Sequence, residues 1–356
     1  MPLPMLINAR FLTRAATGVD RFAIELLAAS HRLRLTRQIE GIAPADTALV
    51  TPAPEGLDVR QAGRHGGHRW EQFELPRLAG ELPLVNLCNT APLRRQRQLA
   101  VIHDAAAVAH PQNYGLAFRT WYRFMLGSVM RHSRVIATVS RFSADELMRH
   151  FGRPWHGIEV IPEGGEHILR APADPTVFER LDLRGRRYVL AVGSQARNKT
   201  FAAVLNAMAQ VDDPDLVLVA AGGGNTRIFT DSTVEDSRLQ RTGYVTDGQL
   251  RALYEQAACF VFPSFYEGFG LPPLEAMCCG CPVIVSDRAS LPEVCGDAAL
   301  YCDPDDPATL AAHLRRVLRS RELSEELREA GWRRSAHLTW ERAAVEFADL
   351  MDLHFA

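Results

Sequence analysis

Two glutamates eight residues apart, Glu267 and Glu275, stand in the run VFPSFYEGFGLPPLEAMCCGCPVIVSD that spans residues 261–287. A carboxylate only accepts hydrogen bonds and takes a pair of neighbouring hydroxyls readily, whereas it repels phosphate. The glycines and prolines between the two supply the opposite chemistry. A turn that opens a helix presents backbone N–H groups and the positive end of a dipole to an anion. The combination suits a nucleotide ligand, with its phosphates at the turn and its sugar hydroxyls on the glutamates. Such a site needs rigid elements on both sides. CysPheValPhe at 259–262 and ValIleValSer at 283–286 are short apolar runs of the kind buried on both faces of a parallel sheet. Gly268 and Gly270 end the first strand in a turn, and Pro272 and Pro273 occupy opening helical positions, where a missing N–H costs nothing.

The basic residues add a second anchor. Of 40 lysines and arginines, 39 are arginine and one, Lys199, is lysine. It falls where a strand ends in GlySerGlnAlaArgAsnLysThr (193–200) and a helix begins. A compact ammonium suits a phosphate that a fork-shaped guanidinium does not fit; the plainer reading is an exposed lysine at a helix start. Beside a second helix N-terminus, Lys199 would neutralise a diphosphate and ease its departure.

The rest of the chain alternates strands and helices. In the C-terminal half, strands at 188–193, 216–221, 259–262 and 283–286 interleave with helices at 199–211, 247–258, 272–280 and 307–318, a doubly wound, Rossmann-like pattern. The N-terminal half repeats it more faintly, with a strand near 3–8, a glycine loop at Gly18, a helix over 19–30, and strands at 82–87, 99–103 and 135–139. A chain of 356 residues exceeds one ordinary core and fits two domains. We place them at 1–165 with 338–356, and at 166–337, with the polar stretch 163–175 as linker.

Composition narrows the class. Residues 1–170 hold 21 Arg and 15 acidic residues, net +6, and the remainder 19 basic and 27 acidic residues, net −8, which together give −2. A basic half steers toward anionic lipid or a phosphate-bearing acceptor. The segment RTWYRFMLGSVMRHSR (119–134) reads as a basic amphipathic helix whose apolar part is Trp121, Tyr122, Phe124, Met125, Leu126, Val129 and Met130. Core packing with a solvated arginine face is the plainer account of it, and a membrane-surface role the other. No apolar run is long enough to span a bilayer, and the first residues lack the order of a signal peptide, so a cytoplasmic protein is expected. The seven cysteines are odd in number and sit in apolar context, as free buried thiols do. CysCysGlyCys at 278–281 is too tight for a usual zinc site, and Asp303, Asp305 and Asp306 between Pro304 and Pro307 read as a capping loop. No metal and no cofactor are expected.

These residues resemble a known family, the retaining nucleotide-sugar glycosyltransferases of family four, which have the two-domain GT-B fold. The resemblance runs nearly end to end. It rests on Glu267-GlyPheGly-LeuProProLeu-Glu275, GlySer…AsnLys (193–199), GlyTyrValThrAsp (243–247), SerLeuProGluVal (290–294), ThrValSerArgPheSer (138–143) and ValIlePro (160–162). ThrGlyValAspArgPhe (17–22), TrpGluGlnPheGluLeuPro (70–76) and IleHisAsp (102–104) are similar to members that assemble bacterial surface polysaccharides, including O-antigen mannosyltransferases. TrpGluArg (340–342) resembles the start of the final helix, which in this fold crosses back onto the first of two Rossmann-like domains that face each other across a cleft.

The resemblance implies roles. Glu267 would accept from the donor sugar, Gly268, Phe269, Gly270 and Leu271 would hold sugar and diphosphate through their backbone, and Glu275 would take the ribose hydroxyls. Gly193 and Ser194 would form the adjoining loop. Lys199 and Arg197 would bind the diphosphate; the position before the lysine, usually arginine, is Asn198 here. Gly18 would approach the donor phosphate and His103 would hydrogen-bond the transferred sugar. Catalysis would fall to Glu267, His103 and Lys199, with retention through an oxocarbenium-like transition state and the departing diphosphate accepting the acceptor's proton. Because both glutamates lie on one loop and helix, they read as binding groups and not as the pair that straddles a glycosidic bond. The implied partners are a nucleotide-diphosphate sugar, with GDP-mannose first and dTDP-rhamnose or UDP-hexoses after it, and a saccharide or polyprenyl-diphosphate-linked acceptor, with peripheral membrane contact and no nucleic acid. A Rossmann oxidoreductase would need Gly-x-Gly-x-x-Gly after its first strand, which Gly222, Gly223 and Gly224 do not provide. The alternatives are an NDP-sugar epimerase or hydrolase and a silent sugar-nucleotide-binding protein.

Overall fold

A computed structural model describes residues 4–35, 39–154, 156–193, 198–222 and 237–355, with the backbone alone for 198–202. The chain divides into two units, Met1–Glu163 with Trp340–Ala356, and Gly164–Thr339. The elements of the first run β1 (Met5–Asn8), α1 (Gly18–Arg32), β2 (Ile39–Pro44), β3 (Asp58–Ala62), α2 (Gly67–Phe73), α3 (Leu75–Ala79), β4 (Leu84–Asn86), β5 (Gln98–Val101), α4 (Ala106–Ala109), α5 (Leu116–His132), β6 (Val135–Thr138), α6 (Arg141–Phe151) and β7 (Glu159–Val160). Its seven strands form one parallel sheet in the order β3-β2-β1-β4-β5-β6-β7. The order reverses between β1 and β4, which makes the strand ends there the natural place for a ligand.

The second unit runs α7 (Thr176–Arg180), β8 (Tyr188–Val192), α8 (Asn198–Met208), β9 (Val217–Ala221), β10 (Leu239–Gly243), α9 (Asp247–Gln256), β11 (Cys259–Phe262), α10 (Leu271–Cys278), β12 (Val283–Ser286), α11 (Leu291–Cys295), β13 (Ala299–Cys302), α12 (Pro307–Arg319) and α13 (Arg321–Ser335). Six parallel strands lie in the order β10-β9-β8-β11-β12-β13, and the reversal falls between β8 and β11. Strands β9, β11 and β12 are buried at every residue, as their unbroken apolar runs require. The remaining helix, α14 (Trp340–Phe355), belongs to the first unit and packs against α1, with the Trp340 ring 5.9 Å from that of Phe22.

Both units are α/β with parallel sheets. Four sequence expectations need correction. The strands expected at 82–87, 99–103 and 135–139 shorten to β4, β5 and β6. Strands β2, β3, β7, β10 and β13 were not anticipated; most lie at or next to a sheet edge, where one flank is solvated and no apolar run develops. On α5 the core takes Met125, Leu126, Val129 and Met130, while Phe124 points out at 60% exposure. The stretch 163–175 is no solvated linker throughout, since Glu166–Leu169 forms a 3-10 turn that buries His167 and Ile168. Among the described residues, no helix is long and apolar enough to cross a membrane.

Local rules explain the helix that carries Glu275. Helix α10 opens at Gly270, which sits at φ +109°, where a Cβ would also meet Leu291 at 2.7 Å. It closes in a Schellman motif, with the Gly280 N–H donating to Met277 O at 3.0 Å, the Cys281 N–H to Ala276 O at 2.9 Å, and Gly280 at φ +68°. CysCysGlyCys is therefore a helix stop with buried thiols on either side of its glycine. At the start of α12, Asp306 accepts from the Ala308 N–H at 3.0 Å, as the capping-loop expectation has it.

Candidate functional site

In the second unit the two loops at the sheet reversal follow β8 and β11. Gly193 follows β8, and its carbonyl would lie 2.4 Å from a Cβ on Gly222, which follows β9, so Gly222, at φ +130°, must be glycine for these two adjacent strand ends to pack. The loop after β11, residues 263–270, is held by three buried serines. Ser264 donates to Glu267 Oε1 at 2.7 Å, Ser286 to the Ser264 carbonyl, and the Ser290 hydroxyl lies within reach of the carbonyls of Glu267 (3.0 Å) and Phe269 (2.6 Å). The Glu267 carboxylate is thus fixed at the strand end while its residue stays part-exposed. Because Pro272 and Pro273 lack N–H groups, the donors near the helix start reduce to the loop amides. Those of Phe269, Gly270 and Leu271 make no hydrogen bond to another described residue.

Glu275 lies one turn into α10 and is 8% exposed. His167 Nε2–H donates to its Oε1 at 2.9 Å and the Tyr254 hydroxyl to its Oε2 at 3.1 Å. Burial, and then the charge of Glu275, push the Tyr254 phenol well above its ordinary range, so it stays a donor. These two bonds orient the Glu275 carboxylate. Gly193, Gly268, Phe269, Gly270, Leu271, Glu267 and Glu275 are together at this edge. Ser194 and Arg197 lie outside the described residues, and Lys199 is described only as backbone in the first turn of α8.

In the first unit, α1 begins at Gly18, over which a Cβ would meet nothing within 4 Å. Asp20 accepts from the Thr17 N–H at 3.0 Å, from Arg14 Nη2 at 2.6 Å and from Arg14 Nε at 3.2 Å, which fixes that helix start. His103 follows β5 and is 4% exposed. Its Nε2–H donates to Leu87 O at 2.9 Å, Phe22 of α1 meets its ring edge-on at 4.9 Å, and its Nδ1 lies 3.5 Å from Glu163 Oε1. Gly18 and His103 therefore belong to one strand-end edge, with the imidazole committed on one side and directed by Glu163 on the other.

A buried polar network fills the same edge at the β1–β4 reversal. Glu71 on α2 is fully buried and accepts from Asn8 (3.0 Å), Arg10 (3.2 Å) and Thr90 (2.8 Å), with His68 Nδ1 at 3.2 Å from its second oxygen. Burial pushes the Glu71 carboxyl up, but the His68 bond, the Arg10 charge and the bonds from Thr90 and Asn8 outweigh it and hold it below the ordinary carboxylate range. Sequence reasoning assigned no role to Glu71, Arg10, Thr90, His167, Tyr254 or the three serines. The TrpGluGlnPheGluLeuPro block did contain Glu71, and a histidine directly after GluGlyGlyGlu was the available hint for His167. Among the described residues, no group of three or more His, Cys, Asp and Glu is arranged to hold a metal ion.

The family described as "Glycosyl transferases group 1" matches residues 175–334. The O-antigen chain mannosyltransferase B of Escherichia coli is 31% identical, with 93% of this chain and 94% of that protein covered. The chain belongs to the group 1 glycosyltransferases. Among solved structures, sucrose-phosphate synthase from Thermosynechococcus elongatus superposes with a TM-score of 0.76 at 20% identity, over 99% of this chain and 98% of that one. WaaG, a glycosyltransferase involved in lipopolysaccharide biosynthesis, superposes at 0.72 and 15%, over 98% and 99%. The fold of this group 1 glycosyltransferase is GT-B, and its enzymatic class is hexosyltransferase.

Proposed function

We propose that this glycosyltransferase moves mannose from GDP-mannose, with retention of configuration, to a saccharide or lipid-linked saccharide acceptor during surface polysaccharide assembly. The observation that carries this reading is the similarity along nearly the whole chain to an O-antigen chain mannosyltransferase. Glu275, oriented by His167 and Tyr254, accepts from the ribose hydroxyls. Glu267, held by Ser264, accepts from the donor sugar, and the amides of Phe269, Gly270 and Leu271 with the α10 dipole receive the diphosphate together with Lys199 and Arg197. These groups are fixed before charge develops on the leaving diphosphate, so they lower the barrier without reorganising. His103 hydrogen-bonds the transferred sugar through the nitrogen that Glu163 faces. No metal is required in this reading, and the protein works at the cytoplasmic face of the membrane.

Titration of the purified protein with GDP, UDP and dTDP, followed by thermal stability, tests the donor. GDP raises the melting temperature most, and Glu275→Ala and Lys199→Ala reduce the shift. Equal shifts for the three nucleotides, or shifts unchanged in both variants, would sink the proposed site. Turnover of GDP-mannose in excess EDTA tests metal independence, and the anomeric configuration of the product tests retention.

A further inference from the structure

A crossover between parallel strands takes a dozen or more residues and usually contains a helix. Strands β4 and β5 are joined by residues 87–97 alone, without a helix. Beside this thin connection a groove of about 1280 Å³ lies between α2–α3 and α5. Its floor is tied from both walls. Gln72 Nε2 donates to Ala91 O at 3.0 Å and accepts from the Leu93 N–H at 2.9 Å through Oε1, while Ser128 of α5 donates to Leu93 O at 2.8 Å.

The lining is basic and aromatic. Arg69, Arg94, Arg95, Arg123 and Arg131 line the groove, and no Asp or Glu does so among the described residues. Arg95 is spread over the carbonyls of Pro76, Gly80 and Leu82, and its buried Nε has no hydrogen-bond partner there. The other four guanidinium groups form neither a hydrogen bond nor an ion pair with a described residue. Phe73 and Phe124, 62% and 60% exposed, stand among them with Trp121. Guanidinium groups without carboxylates call for phosphate. Exposed rings beside them call for an apolar chain, which a free sugar or a simple anion lacks. A concavity of this size takes one molecule. At one end, His68 lines the groove, meets the Trp121 ring at 6.1 Å and reaches Glu71 in the strand-end network.

We propose that this groove binds the diphosphate and the first apolar units of a lipid-linked acceptor, so that the attached saccharide extends past His68 to the strand-end edge that holds Gly18 and His103. The inference rests on the acceptor class proposed above. Farnesyl diphosphate, a soluble molecule with both features, is the probe, titrated calorimetrically against the whole protein. It binds saturably in the presence of excess GDP, more tightly than inorganic diphosphate or farnesol. The double variant Arg94→Ala/Arg123→Ala, at two exposed positions, weakens it at least roughly tenfold and leaves the GDP-induced thermal shift intact, which also shows that the variant is folded. Displacement of the probe by GDP, equal affinity in the variant, or no saturable binding overturns the proposal. So does a variant that loses binding to vesicles of anionic phospholipid but not to the probe, which would make the face a bilayer contact. Failure of the donor reading is separate, since it would appear as a missing GDP shift with probe binding unchanged.

Discussion

Glu275 illustrates what a buried carboxylate needs before it can serve a ligand. His167 and Tyr254 hold it in one rotamer, and removing either leaves a buried acceptor to reorient. A hydrogen bond to a charged group contributes about 1.5–3 kcal/mol. His167→Ala should therefore raise the GDP dissociation constant roughly ten- to hundredfold while kcat at saturating donor changes little; an unchanged constant in a calorimetric titration would remove His167 from the site. Glu71 makes a pH prediction. Its folded pKa is lowered, so its contribution to stability is fully present above the unfolded carboxylate range near pH 4.5 and is lost as pH falls through the folded value. In Glu71→Gln that contribution is absent at neutral pH already, and acid unfolding curves of the variant should be flatter between about pH 5 and 3. The residues of the proposed donor site were legible because glycine, proline and glutamate at fixed spacing have few other uses. Their supports were not, because His167 meets Glu275 across 108 positions of chain and no local pattern records such a pairing.

At the scale of elements, the ends of α10 carry the specificity of conformation. Gly280→Ala forces a side chain into the left-handed region, at roughly 1–2 kcal/mol, and drives its Cβ to 2.7 Å from Trp332. The melting temperature should fall by several degrees while GDP affinity stays within a factor of two, because this helix end lies away from the proposed donor site. Gly270→Ala, at the opposite end, should reverse that ranking and weaken GDP binding, since the strained residue belongs to the amide cradle. Equal effects of the two substitutions on binding would contradict the assignment. The central strands β8, β9, β11 and β12 were legible as unbroken apolar runs. β3 and β10 were not, since their exposed edges carry Arg60, Gln61, Gln240 and Arg241, and their place is set by register with a neighbouring strand.

Over the whole molecule, thiols set the alkaline limit. Burial raises the pKa of Cys259, Cys278, Cys295 and Cys302 to about 12 and lifts Cys279 and Cys281 as well. Above the unfolded thiol value of 9.0 the unfolded chain binds fewer protons than the folded one, so stability falls with rising pH, by about 1.4 kcal/mol per buried thiol per pH unit. Melting temperatures under reducing conditions should decline steeply from pH 9 to 10, and Cys281→Ala should lessen the slope even if it lowers stability at pH 7. A flat profile would show that these thiols are not held in the neutral form. The placement of α14 carries a consequence for synthesis. Its Trp340, Phe347, Leu350, Met351 and Phe355 are buried in the first unit, at about 1.5–3 kcal/mol each, which together rivals the net stability of an ordinary domain. The ribosome therefore delivers the residues of unit 2 complete while unit 1, begun first, still lacks a wall of its core. Vectorial folding should mature the second unit before the first, and a released chain truncated after residue 339 should resist protease only in its later half.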